Sequence, residues 1–214
     1  MNSIRLVSVV PQVFAQQNNL DSEIWNQDIK FEKGQVYLIE ADSGKGKSTF
    51  CSYIVGYRHD YAGKVLIDDQ NALNFKVQDW VDLRQNHISH LFQELRLFPE
   101  LTAFENVEIK NKLTNFKSEA QIKEWFDHLD IADKLDAKVG RMSFGQQQRV
   151  AMIRALVQPF EFLLADEPIS HLDDSNSQLM GEILMEEAKA QGAGVILTSI
   201  GKHIALNYDK TLRL

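Results

Sequence analysis

The sequence predicts an α/β domain in which a parallel or mixed sheet lies under helices, with a helical segment inserted into it. Short apolar runs rich in β-branched residues recur at 4–10, 35–40, 64–68, 88–92, 162–165 and 195–198. Strands covered on both faces read this way. Between residues 92 and 162 the apolar pattern changes from runs to helical spacing. A glycine-bearing loop also follows one strand directly, in the stretch EADSGKGKST at 40–49.

Length and composition bound the function. The 214 residues fit one domain, or one core carrying a smaller subdomain. At 44% apolar residues, a sizeable core can form. The net charge is -7 with no basic run, which argues against a nucleic-acid partner and leaves protein partners open. Cys51 is the only cysteine, so no internal disulfide can form and a reducing compartment is expected. No apolar run approaches the roughly 18–20 residues that span a bilayer. The N-terminal apolar stretch is interrupted by Pro11 and lacks a small-residue cleavage site, so it reads as a first strand and not a signal peptide. Work at a membrane is therefore expected to go through a partner. There is no internal repeat and no low-complexity segment.

In chain order, the run 4–10 is the first strand, and 35–40 leads into the loop, after which a helix is predicted over 50–57. Ser118 with Gln121 makes a capping-box start. Ile122, Trp125, Phe126 and Leu129 then fall at i, i+3, i+4 and i+7, an amphipathic helix. A second helix is predicted from Ser143 through Val157, stopped by Pro159. The stretch 95–158 thus reads as a helical insertion. Leu179, Met180, Ile183 and Leu184 mark a further helix that ends near Gly192.

The loop after 35–40 reads Ala41, Asp42, Ser43, Gly44, Lys45, Gly46, Lys47, Ser48, Thr49. Strand, loop and helix in this order make a phosphate cradle: consecutive backbone N–H groups point into one concavity, and the helix N-terminus adds positive partial charge. Gly44 and Gly46 admit phosphate without a Cβ clash. Lys47 would reach the β- and γ-phosphates, and the Ser48 hydroxyl would ligate Mg²⁺. Residues Ser43 to Thr49 form the candidate nucleotide-binding set, although the Lys45 side chain has no role assignable from sequence. Ala41 stands where the pattern has its first glycine: a negative φ there suits alanine, whereas a positive φ costs about 1 kcal/mol or more. At the end of 162–165 come Asp166 and Glu167, where α/β sheets bind ligands. Asp166 would hold Mg²⁺ through water. Glu167 would be the general base for the attacking water, a role worth about 10²- to 10⁴-fold. An exposed turn before Pro168 is the alternative reading of that pair alone.

With these residues in place, the chain resembles the ATP-binding cassette ATPases over essentially its whole length. MSFGQQQR at 142–149 looks like the family's LSGGQ signature with its QQR continuation, and LFQELRLFPELTAFENV at 91–107 like its glutamine loop, with Gln93 as the glutamine. Ile169, Ser170, His171, Leu172 and Asp173 look like the loop after the Walker B strand. The wording around Gln93 is most similar to the lipoprotein-export, macrolide-efflux and cell-division (FtsE-like) group. The resemblance implies a P-loop NTPase (RecA-like) core with an N-terminal antiparallel β region and an inserted α-helical subdomain. That is a single nucleotide-binding domain over 1–214, with a signature subdomain at 95–158. It implies ATP and Mg²⁺ as ligands, with Ser48, Gln93 and Asp166 at the metal. Ser143, Gly145 and Gln146 would close on the γ-phosphate of a partner cassette in a head-to-tail homodimer, or in a pair with a related cassette. Phe14 is the candidate to stack on adenine; a core phenylalanine is the alternative. Transmembrane permease subunits are the implied partners, and the implied location is cytoplasmic, peripheral on the inner face of the cell membrane.

Other positions depart from the family. Phe144 replaces the first glycine of the signature, so its ring is expected to point away from the nucleotide. The family's last core strand ends in a histidine that contacts the γ-phosphate; here the strand is predicted to end at Thr198, and Ser199 holds the histidine's place among the catalytic candidates Glu167, Gln93, Lys47 and Ser199. His203 could substitute only if a helix began at Ile200. His87 and His90 are set aside as a metal pair, since a strand would split them onto opposite faces. Cys51 reads as a small buried apolar group, Trp125 and Phe126 as core, and Trp25 and Trp80 have no assignable role. The main reading is the ATPase subunit of an ABC transporter-type complex. One rival is a poorly hydrolysing nucleotide-gated module, favoured by Ala41, Phe144 and Ser199 and opposed by Glu167, Lys47 and Gln93. The other is a soluble ABC ATPase of DNA repair or translation, which the acidic balance and the lack of a long insertion oppose.

Overall fold

The computed structural model describes residues 1–16, 20–169 and 172–214. In chain order its elements are β1 (Ser3–Pro11), β2 (Asp28–Glu32), β3 (Val36–Glu40), α1 (Lys47–Ile54), β4 (Tyr61–Ile67), β5 (Gln70–Asn71), α2 (Val77–Asp82), β6 (Ile88–Leu91), α3 (Ala103–Asn111), α4 (Glu119–His128), α5 (Phe144–Leu156), β7 (Phe162–Asp166), α6 (Asp174–Ala190), β8 (Gly194–Ser199) and β9 (Lys210–Arg213).

The strands form two sheets. One is antiparallel, in the order β2-β1-β4-β5, and the other runs β6-β7-β8-β3-β9 with every pair parallel. The parallel sheet separates two apolar cores, and its strands feed both. Leu38, Leu163, Ala165, Val195 and Leu197 face the core shared with α3, α4, α5 and α6. Ile39, Phe162, Leu164 and Ile196 face the core shared with α1 and the antiparallel sheet. Period-2 alternation between two apolar environments makes these strands continuous apolar runs. The face of α1 carrying Phe50, Cys51, Tyr53 and Ile54 is buried with Ile4, Leu6 and Phe31, so the helix after the phosphate loop is wedged between the sheets.

Several elements differ from the sequence expectation. α1 starts at Lys47 and ends at Ile54, shifted from the predicted 50–57, because Gly46 caps it at φ 102. β2 was not marked by an apolar run, since only Ile29 and Phe31 turn inward while Asp28, Lys30 and Glu32 face out. β8 includes Ser199, one residue beyond the expected end. No helix begins at Ile200: the chain is irregular from 200 to 208. α4 does begin with the Ser118–Gln121 capping box, and α5 with a second one from Ser143 and Gln146.

Candidate functional site

β3 delivers the chain into the loop 41–46, and α1 takes it away. Gly44 and Gly46 sit at φ 80 and 102, the left-handed region that glycine occupies without strain. Ala41 is not among the residues of positive φ; its N–H donates to the Ser199 carbonyl at 3.1 Å, so alanine is accommodated. Lys47 Nζ folds back over the loop, donating to the carbonyls of Ala41 at 2.8 Å and Asp42 at 3.1 Å. Thr49 Oγ1 accepts from Arg58 at 3.2 Å, which ties the first turn of α1 to the chain beyond it.

Trp25, which had no assignable role from sequence, is the loop's backstop. It is buried edge-on to Phe50 and Tyr53, and its indole N–H donates to the Lys45 carbonyl at 3.3 Å. A Cβ on Gly46 would lie 3.3 Å from Trp25 and 3.4 Å from Phe14, so glycine is what permits this close approach. No local pattern announces the contact, because it is made across the fold. Phe14 and Trp25 line a cavity of ≈ 340 Å³ with Ser43, Gly44 and Lys45. Phe14 thus stands beside the phosphate loop, half-buried, and not in the deep core.

The acidic strand end lies against this loop. Asp166, 3% exposed, accepts the Thr198 hydroxyl at 2.6 Å. Glu167 lies beyond the strand at φ 50, and its N–H donates to Thr198 Oγ1 at 3.2 Å. Its carboxylate is 3.3 Å from Lys47 Nζ and accepts from Gln93 Nε2 at 3.3 Å. Gln93 in turn accepts the Ser48 hydroxyl at 3.2 Å through Oε1. Lys47, Ser48, Gln93 and Glu167 therefore converge from three separate stretches of chain. Gln93 reaches them because the chain turns sharply after β6: Leu95 and Arg96 both have positive φ, and Arg154 donates to the carbonyls of each. Burial pushes the Cys51 thiol well up, and nearby Asp166 adds to the rise, so Cys51 is an inert apolar filler.

The cradle fits a nucleotide triphosphate: two left-handed glycines, a lysine over the loop and free N–H groups at the start of α1 all present positive potential. Ser48 Oγ, Gln93 Oε1 and Asp166 offer hard oxygen donors of the kind Mg²⁺ takes together with phosphates. Among the described residues no cluster of three or more His, Cys, Asp or Glu side chains could hold a metal by itself. His87 is bound instead by Glu161 at 2.7 Å and Asp82 at 3.2 Å, and the half-buried His90 packs against Phe92 with ring centroids 4.0 Å apart.

Ser143, Gly145 and Gln146 do not join this cluster through any hydrogen bond of their own. The Ser143 hydroxyl accepts the Gln146 N–H at 3.3 Å, Gln146 Oε1 accepts the Ser143 N–H at 2.9 Å, and the Gly145 carbonyl accepts from Arg149 at 3.3 Å. They form a tight N-terminus on α5, with Phe144 43% exposed beside it. Ser199 is 1% exposed; its hydroxyl donates to the Lys202 carbonyl at 2.7 Å and accepts the Gly201 N–H at 3.0 Å, so the hydroxyl faces its own turn while the carbonyl accepts the Ala41 N–H at 3.1 Å. His203 lies 3.9 Å from Glu40 and edge-on to Tyr208, and without a helix at Ile200 the condition for it to substitute is not met. In the loop after β7, Ser170 and His171 lie outside the described residues, whereas Leu172 is buried and Asp173 caps α6 by accepting the Asn176 N–H at 2.8 Å.

The family model described as "ABC transporter" matches residues 24–170. The lipoprotein-releasing system ATP-binding protein LolD of Novosphingobium aromaticivorans is 28% identical over 87% of this chain and 85% of its own length. The macrolide export ATP-binding/permease protein MacB of a Shewanella strain is 29% identical over 87% of this chain, which covers 29% of that longer protein. The dimeric bacterial ABC transporter cassette MJ0796 matches with a TM-score of 0.78 at 26% identity, over 92% of this chain and 87% of that one. In its post-hydrolysis dimer bound to ADP and Pi the TM-score is 0.74.

Proposed function

This chain belongs to the ABC transporter family, and we propose that its Lys47–Ser48–Gln93–Glu167 cluster is the site at which it hydrolyses ATP for a membrane complex. The observation that carries this reading is the convergence itself. A phosphate-binding lysine, a hydroxyl at a helix N-terminus, a glutamine from a distant loop and a carboxylate at a strand end meet within hydrogen-bonding range.

Each residue has a distinct task. The loop amides and the Lys47 ammonium hold the phosphate chain; Lys47 leaves the carbonyls of Ala41 and Asp42 to do so. Glu167 orients a water molecule and takes its proton as the new bond to the γ-phosphorus forms and the bond to the β–γ bridging oxygen breaks. Gln93 holds the Glu167 carboxylate from one end of its amide and Ser48 from the other, so it registers the base and the phosphate loop together. Ser48, Gln93 and, through water, Asp166 would hold Mg²⁺, whose chemistry there would be to offset negative charge on phosphate oxygens. Phe14 supplies the apolar surface for the base. Ser143, Gly145 and Gln146 close on the nucleotide of a second copy, since α5 presents a capped N-terminus. Permease subunits anchor the dimer on the inner face of the cell membrane. No helix among the described residues is long and apolar enough to cross one.

The test is phosphate release from Mg-ATP by the purified chain, with Glu167→Gln as control. Turnover that Glu167→Gln abolishes, with ATP affinity kept, is the expected result. Equal turnover in both proteins would remove Glu167 from the role. A second reading, a poorly hydrolysing nucleotide-gated module, is favoured by one observation: the Ser199 hydroxyl is engaged in its own turn. In that case Ser199→His raises turnover.

A further inference from the structure

The turn that follows β8 has no part in the cluster just described, yet it reaches back to the chain that leaves it. The Ser199 hydroxyl closes the turn on the Lys202 carbonyl at 2.7 Å. Gly201 within it has φ 116, a conformation that side chains rarely adopt. The turn directs Lys202 onto the start of α6, where Nζ donates to the Leu172 carbonyl at 2.6 Å and lies 3.1 Å from Asp174 Oδ1. Asp174 is fully exposed, so that ion pair contributes little. The charge-assisted bond to the Leu172 carbonyl is the stronger tie.

Glu167 explains why such a tie is wanted. At φ 50 its backbone is in a region that is strained for a residue with a Cβ. Strain of this kind persists only where the surroundings fix the chain around it. Upstream, Thr198 Oγ1 holds the Glu167 N–H at 3.2 Å. Immediately downstream, Gln148 Nε2 reaches the Pro168 carbonyl at 3.4 Å, a long contact. Further along, among the described residues, the Leu172 N–H donates to the Ile169 carbonyl at 3.2 Å, and the Leu172 carbonyl is where Lys202 takes hold.

We infer that Lys202 is a positioning residue for the hydrolytic step: its ammonium clamps the Leu172 carbonyl to the end of β8 and so keeps the Glu167 carboxylate beside Lys47 and Gln93. The site gains through Lys202 a fixed geometry rather than another contact to phosphate. The inference rests on the reading of Glu167 as the residue that activates water.

Steady-state hydrolysis of Mg-ATP by the full chain decides it. Lys202→Met lowers kcat about tenfold, the factor a charge-assisted hydrogen bond carries, with KM unchanged. Lys202→Arg, which can still donate to Leu172, stays within about twofold of wild type. Equal kcat in wild type and Lys202→Met overturns the clamp. Wild-type turnover that survives Glu167→Gln overturns the underlying reading instead, so the two failures are told apart. For a chain that hydrolyses slowly without its partner, amide hydrogen exchange at Leu172 gives the same decision. It is expected about tenfold faster in Lys202→Met and unchanged in Lys202→Arg; unchanged exchange in both overturns the clamp.

Discussion

Ala41 and Gly46 lie in the same loop, and the backbone makes different demands on them. Ala41 has no positive φ, so a methyl group there meets no conformational penalty, and Ala41→Gly is expected to leave nucleotide affinity unchanged while lowering stability by only about 0.4–1 kcal/mol through the freer unfolded chain. Gly46 is the reverse case. Its φ of 102 is strained for any residue with a Cβ, and a Cβ there would press on the ring of Trp25 at 3.3 Å and touch that of Phe14 at 3.4 Å. Gly46→Ala is therefore expected to destabilise the chain by at least about 1–2 kcal/mol and to displace the loop. Urea midpoints and titration with a nucleotide analogue check both. An Ala41→Gly protein that gains affinity would show that alanine strains the loop after all. The sequence could name Ala41 as a departure but could not say which φ the position has, because that depends on the Ser199 carbonyl that its N–H meets.

At the scale of elements, what was legible follows from how each strand is covered. β3, β7 and β8 read as strands because both faces are buried, and the capping box of α4 reads because its partners lie close in sequence. β2 alternates inward and outward residues and so makes no apolar run, and α1 opens on a left-handed glycine where no capping side chain marks the start. The convergence of Lys47, Gln93 and Glu167 was named from motifs. The Trp25 backstop and the Lys202 turn were not, since both depend on contacts between elements far apart in the chain. β6 carries a prediction of its own. His90 has both ring nitrogens buried without a hydrogen-bond partner, and burial first, then Arg96 and Lys110, lowers its pKa from 6.5 to about 3. It is neutral in the folded chain, whereas the unfolded chain protonates it as pH falls through 6.5. Its contribution to stability is thus complete above that pH and is lost progressively as pH falls toward 3. The stability difference between wild type and His90→Phe should shift by about 1 kcal/mol against wild type between pH 7.5 and 5.5. A difference independent of pH would mean that His90 is already protonated in the fold.

On the scale of the whole molecule, the proposed function divides each site between two copies of the chain. The phosphate loop, Gln93 and Glu167 meet within it, whereas Ser143, Gly145 and Gln146 bond only around their own helix end. In the proposed head-to-tail pair the α5 end of each copy would meet the phosphate loop of the other, and the two-fold arrangement would complete both sites at once. The Phe144 ring, beside Ser143, is 43% exposed. Mixing two defective proteins tests this arrangement. Lys47→Met removes the phosphate-holding ammonium but keeps the α5 end intact; Ser143→Arg spoils the α5 end but keeps the phosphate loop. Each alone is expected to hydrolyse little. Mixed in equal amounts they should recover about a quarter of wild-type turnover, since random pairing makes about half of the dimers mixed and each mixed dimer contains one whole site. A mixture no more active than its components would mean that α5 acts on the nucleotide of its own chain, and the two-fold arrangement would have to be abandoned.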